Sequence, residues 1–157
     1  MEVRLAGPGD VDPVVSILEE AAGWLRSRGI DQWPAVFRRE AVADRVGRRE
    51  VYLAWAASEA AGTFSLQADD AVMWGERPPD ALYLHGLAVR RRHAGLGREL
   101  LAWAERAAHL AGRRYLRLDC MAENRGLRAY YEGAGFTLRG TRRWPGGRDS
   151  SLYEKAV

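Results

Sequence analysis

The chain has 157 residues, 47% hydrophobic and 29% charged, with a formal net charge of +3 from 24 basic and 21 acidic side chains. This suits one compact domain, 1–157, with its own core. No run approaches the roughly 18 apolar residues of a membrane span, and MEVRLAGPGD lacks the apolar heart of a signal peptide, so a cytoplasmic protein with no membrane partner is expected. Lys155 is the only lysine, and acidic residues are mixed among the arginines throughout. A nucleic-acid binder gathers its positive charge on one face, so nucleic acid is not the expected partner.

EVRLA reads as a short strand. Asp12 then caps, and Pro13 opens, a helix whose Val14, Ile17, Leu18, Ala21 and Leu25 repeat at helical spacing until Gly29. After the turn GIDQWP, Pro34 is expected to start a second helix through Phe37, Ala41 and Val42 to Gly47. EVYLAWAAS and AGTFSLQA are β-rich runs about a hairpin at EAAG, and ALYLHGLAV is a third long strand entered from GERPPD. A further helix carries Leu96, Leu100, Trp103, Ala104, Ala107 and Ala111 on one face and stops at Gly112. RYLRLDCM is a strand, Asn124 caps the short helix RGLRAYYEGAG, and FTLRG and SSLYEKAV are strands around the turn WPGG. The order β, α, α, β, β, β, α, β, α, β, β is mixed α/β with hairpin connections predominating.

The junction RRRHAGLG stands between a strand and a helix. Its glycines let backbone N–H groups come close to a ligand, the helix directs its positive end there, and arginines add charge, so a phosphate or pyrophosphate is the natural guest. A P-loop needs Gly-Lys-Ser/Thr, but Arg98 and Glu99 follow Gly97. A dinucleotide fingerprint wants a third glycine where Leu100 stands. His85, His93, His109 and the lone Cys120 show no ligand spacing, so no metal is expected, and Cys120 reads as a core residue.

NRGLRAYYEGAGF, LAVRRRHAGLG and the element order together resemble the GNAT superfamily of acyl-CoA-dependent N-acyltransferases, over essentially the whole chain and most specifically over residues 81–136. The resemblance implies the GNAT fold, a mixed, mostly antiparallel central sheet flanked by about four helices. It implies acetyl-CoA as co-substrate, with its pyrophosphate held by the loop of Arg92, Gly95, Leu96, Gly97 and Arg98, and its pantetheine arm along Leu87 and Val89. The run from Val89 to Gly95 is shorter than the family pattern, which leaves Arg90 and Arg91 beside Arg92 as flanking cations. Asn124, Tyr131, Gly135 and Phe136 match the next motif, with Asn124 at the coenzyme.

Direct acetyl transfer from a thioester to an amine needs a base, a polarised carbonyl and an acid for the thiolate. His85 is the first candidate for the base, since period-2 alternation puts Tyr83, His85, Leu87 and Val89 on one strand face; Asp119 and Glu123 are its rivals. Tyr131 is the candidate acid and Tyr130 a packing residue. By resemblance, the first two helices and the last turn wall the acceptor pocket with Trp24, Ile30, Gln32, Trp33, Phe37 and Trp144. The expected acceptor is a small-molecule primary amine. The alternatives are a protein N-terminus or lysine, or a non-catalytic acyl-CoA or nucleic-acid-binding module. Similar proteins also form homodimers.

Overall fold

A computed structural model describes residues 1–144 and 146–157. Seven strands form one mixed sheet in the order β1-β2-β3-β4-β5-β7-β6. They are β1 Glu2–Leu5, β2 Val51–Ala56, β3 Glu59–Gln67, β4 Ala81–Val89, β5 Tyr115–Met121, β6 Thr137–Arg143 and β7 Asp149–Ala156. β4 and β5 run parallel, while β1/β2, β2/β3, β5/β7 and β6/β7 are antiparallel. The helices are α1 Val11–Ser27, α2 Arg39–Gly47, α3 Ala71–Trp74, α4 Leu96–Leu110 and α5 Arg125–Gly133. The chain divides into two compact units, Met1–Leu66 with Gly86–Leu100, and Gln67–His85 with Leu101–Val157.

In the first unit α1 buries Val11, Val14, Ile17, Leu18 and Ala22, the three-and-four spacing of an amphipathic helix. α2 adds Val42 and Val46, and these pack with Leu53, Ala60 and Ala88 into one cluster. From Ala60 to Leu66 every residue of β3 is buried, as in a strand covered on both faces. α1 starts before the expected Asp12. A 3-10 turn, Pro8–Asp10, leads into it, and the Asp10 carboxylate takes the Gly7 N–H at 2.8 Å and the Arg4 guanidinium at 2.7 Å. α2 begins at Arg39 and not at Pro34, so Phe37 lies outside it; Phe37 instead packs edge-on to Trp33 while its N–H meets Glu19. The β2–β3 turn falls at Ala57 and Ser58, with Ala57 at φ 53°, so the EAAG segment belongs to β3.

The second unit centres on β5, β7 and β6. Arg117 is 3% exposed, yet its guanidinium is matched by Glu154 at 2.8 Å, Asp80 at 3.1 Å and the Tyr83 hydroxyl at 2.9 Å. Met73, Trp74, Ala81, Tyr83 and Leu152 pack beside it. The four-residue α3, absent from the expected order, is capped by Asp70. Along α4 the buried stripe is Leu100, Leu101, Ala104 and Ala108, not the expected Trp103, Ala107 and Ala111. So many alanines on that helix leave its apolar face ambiguous in sequence. The predicted turn WPGG includes Pro145, which lies outside the described residues; Gly147 within it has φ 91°.

Candidate active site

In the first unit the junction folds into a 3-10 turn, Arg91–His93, then Gly95 at φ 104° and the start of α4. A Cβ at Gly95 would meet nothing within 4 Å, so the backbone faces open space there. The first-turn N–H groups of a 15-residue helix supply positive potential at Leu96, Gly97 and Arg98. The three arginines differ in their neighbours. Arg90 donates to Glu20 at 2.7 Å, to the Ala60 carbonyl at 2.9 Å and to Ser16 at 3.1 Å, and is therefore a structural clamp. Arg92 pairs with Glu59, which also takes His93 at 3.0 Å. The Arg91 guanidinium lies 4.1 Å over the Trp24 ring and meets no carboxylate among the described residues. Its backbone N–H goes to the second Glu20 oxygen at 2.9 Å. Burial opposes ionisation of Glu20, but the Arg91 N–H and the Arg90 guanidinium outweigh it and hold the carboxyl below its ordinary range.

Trp24, expected in the acceptor wall, is flanked by Arg91 and Arg28. Trp33 and Phe37 pack against the first-unit core, with Gln32 and Ile30 half-buried beside them in the chain. Leu87 and Val89 are half-buried on β4. Gly86 has φ 60°, so the strand's alternation is broken between His85 and Leu87, and the one-face reading of Tyr83 through Val89 does not hold.

In the second unit His85 on β4 gathers two carboxylates. Its Nε2 lies 3.5 Å from Asp70 Oδ2, and one ligand atom each of Asp70, His85 and Asp119 lie within 4.8 Å of one another. Asp70 is held by its other oxygen, which accepts the Met73 N–H at the start of α3. Burial pushes the Asp119 carboxyl above its ordinary range, with Asp70 adding to the effect while His85 and a hydrogen bond from Ser150 oppose it. Ser150 Oγ in turn accepts the indole N–H of Trp144 at 2.8 Å. Glu123 is exposed in the turn after β5 and is not part of this group.

Asn124 caps α5, accepting the Leu127 N–H at 3.0 Å. Tyr131 is buried, its ring packed against Tyr130, Phe136 and Tyr153 at 5.5–6.2 Å between centroids. Burial raises its phenol well above the ordinary value, so it holds its proton at neutral pH. Burial also pushes the Cys120 thiol up to about 12, which suits a core residue and not a nucleophile. Gly135, two residues beyond α5, has φ 91°, and a Cβ there would press on Lys155 at 3.3 Å.

The profile of the Acetyltransferase (GNAT) family matches residues 16–136. The chain belongs to the GNAT acetyltransferase family. It is 33% identical over 161 residues to YesJ of Bacillus subtilis strain 168, described as an uncharacterized N-acetyltransferase; the match covers 94% of this chain and 86% of YesJ. A GNAT-family acetyltransferase from Listeria monocytogenes superimposes with a TM-score of 0.82 at 27% identity, over 99% of this chain and 94% of that one. YncA of Salmonella typhimurium, solved with its cofactor acetyl-CoA, shares the fold at a TM-score of 0.73 and 16% identity, over 99% and 93% of the two chains.

Sequence reasoning on this GNAT acetyltransferase missed Glu20, Glu59 and Asp70. Asp70 had a local signal, an Asp directly before the apolar AVMW, which is an N-cap pattern. The two glutamates had none, because their partners lie far away along the chain.

Proposed function

We propose that this chain transfers the acetyl group of acetyl-CoA directly to a primary amine of a small molecule. Membership of the family supports the reaction type, and the Salmonella neighbour's cofactor supports the donor. The observation that carries the reading is the junction. Open space at Gly95, the N-terminal amides of α4 and an Arg91 that meets no carboxylate among the described residues suit a pyrophosphate. Arg91 is thus the coenzyme cation, ahead of the carboxylate-bound Arg90 and Arg92, and Leu87 and Val89 complete the coenzyme contacts of the first unit.

The bound thioester supplies an activated acetyl carbon and a good leaving group. An alkylamine of pKa near 10.4 pays about 4.6 kcal/mol to be neutral at pH 7, so a base is worth having. His85 accepts that proton, the amine nitrogen bonds to the carbonyl carbon, and the carbon–sulfur bond breaks. Tyr131 gives its phenolic proton to the departing thiolate, and the resulting tyrosinate is reprotonated from solvent. Trp144 reaches Asp119 through Ser150 and is the acceptor contact of the second unit.

The test is release of CoA thiol from acetyl-CoA across arylalkylamines, polyamines, aminoglycosides, amino acids and short peptides. Turnover with one small-amine class is expected. Turnover confined to peptides would move the acceptor to protein. Binding of acetyl-CoA without turnover on any amine would sink the enzymatic reading.

A further inference from the structure

We propose that Asp70, His85 and Asp119 form a site for one divalent transition-metal ion of the zinc class, and that the ion is an inhibitor of acetyl transfer. The three residues come from the segment before α3, from β4 and from β5, which is why no ligand spacing marks them in sequence.

Two carboxylates and one imidazole share a confined space, with their ligand atoms within 4.8 Å of one another. The Asp70 side chain is 10% exposed and His85 26%. Asp70 Oδ2 and His85 Nε2 are both buried without a hydrogen-bond partner, an arrangement that costs free energy unless something fills it. Their 3.5 Å separation is long for a hydrogen bond. Two ligands of one tetrahedral zinc ion, each about 2.0–2.2 Å from it, stand about 3.4 Å apart. An ammonium group bridging the same two atoms by hydrogen bonds of about 2.9 Å would hold them nearer about 4.7 Å apart, so this pair favours the ion, and Asp119, within 4.8 Å of both, closes in to ligate it.

The donor set makes the same choice. One imidazole nitrogen with two carboxylate oxygens suits zinc, cobalt or nickel better than magnesium or calcium, which prefer oxygen alone. Both carboxylates are braced from behind, as ligating carboxylates are: Asp70 by the Met73 N–H and Asp119 by Ser150, itself held by Trp144. A metal on Nε2 removes the lone pair that would take the amine proton. Inhibition therefore rests on the proposed role of His85, whereas binding does not.

The experiment is calorimetric titration of Zn²⁺ into EDTA-treated, dialysed full-length protein, repeated with Co²⁺ to read visible absorption. One equivalent should bind, with a cobalt spectrum of four- or five-coordinate N/O ligation. His85→Gln and Asp70→Asn should each weaken Zn²⁺ by at least tenfold, with thermal melting of both variants checking that they fold. In the acetyl-transfer assay Zn²⁺ should inhibit at the concentrations at which it binds, with EDTA restoring the rate. No heat up to millimolar Zn²⁺, or equal affinity in both folded variants, would overturn the site. Zinc binding at the site without inhibition would overturn the inhibitory role alone, and binding in a protein that acetylates no amine would leave the site standing while the transferase reading fell.

Discussion

Glu20 holds Arg90 by both its side chain and the chain that follows: one oxygen takes the Arg90 guanidinium at 2.7 Å and the other takes the next backbone N–H, that of Arg91, at 2.9 Å. A single carboxylate on α1 thus sets the entry of the loop at residues 91–95, and among the described residues Arg91 is the one of the three arginines there that meets no carboxylate.

Glu20→Gln should weaken CoA binding about tenfold by calorimetry and cost about 1–2 kcal/mol of stability at pH 7, since the pair is only partly buried. Because the Glu20 carboxyl is depressed, its contribution is present above the unfolded value near 4.3 and is lost as pH falls through the lower folded value. The stability gap between wild type and variant, followed by urea unfolding, should therefore close in acid. A gap that widened below pH 4 would contradict this.

Tyr131→Phe removes one hydroxyl from a ring already packed by three aromatic neighbours. The kcat for acetyl transfer should fall by about 10²-fold with little change in the affinity for acetyl-CoA. Steady-state kinetics beside a direct titration separate the two, and an unchanged kcat would remove Tyr131 from the chemistry.

Arg117→Ala would take the guanidinium from Asp80 and leave Glu154 with Arg139 at 3.7 Å, around an empty buried position. The expected loss is about 3–5 kcal/mol in chemical denaturation. A loss below about 1 kcal/mol would mean that the two carboxylates find water or other partners.

Gly62→Ala tests how closely β3 is approached in the first unit. A Cβ there would sit 2.9 Å from Leu100 Cδ1 and 3.2 Å from the Ala88 carbonyl oxygen. The side chain can rotate away but the backbone oxygen cannot easily follow, so about 1–3 kcal/mol of destabilisation is expected. A neutral thermal melt would show that β3 and β4 can part slightly.

Much of the fold was legible in one dimension. Period-3.6 stripes marked α1 and α4, β-rich runs marked the strands, Asn124 announced α5, and two glycine-bearing motifs carried the family. Errors gathered where local cues competed. Pro34 suits a first helical turn, yet the helix waits until Arg39, and Asp12 looks like a cap although Asp10 takes the Gly7 N–H and Arg4 together. In each case a contact or packing arrangement outside the local pattern overrode the local preference.

The chain's own patterning determined a mixed α/β protein, because hydrophobic periodicity, capping residues and glycine positions act over a few neighbouring residues, and the resemblance of its two motifs carried the acetyltransferase family. Only the tertiary structure decided which of Arg90, Arg91 and Arg92 meets no carboxylate among the described residues, that Arg117 is a buried charge, and that Asp70 and Asp119 gather around His85. Those outcomes depend on ion pairs and desolvation between residues from separate segments, and such interactions leave no periodic trace in sequence.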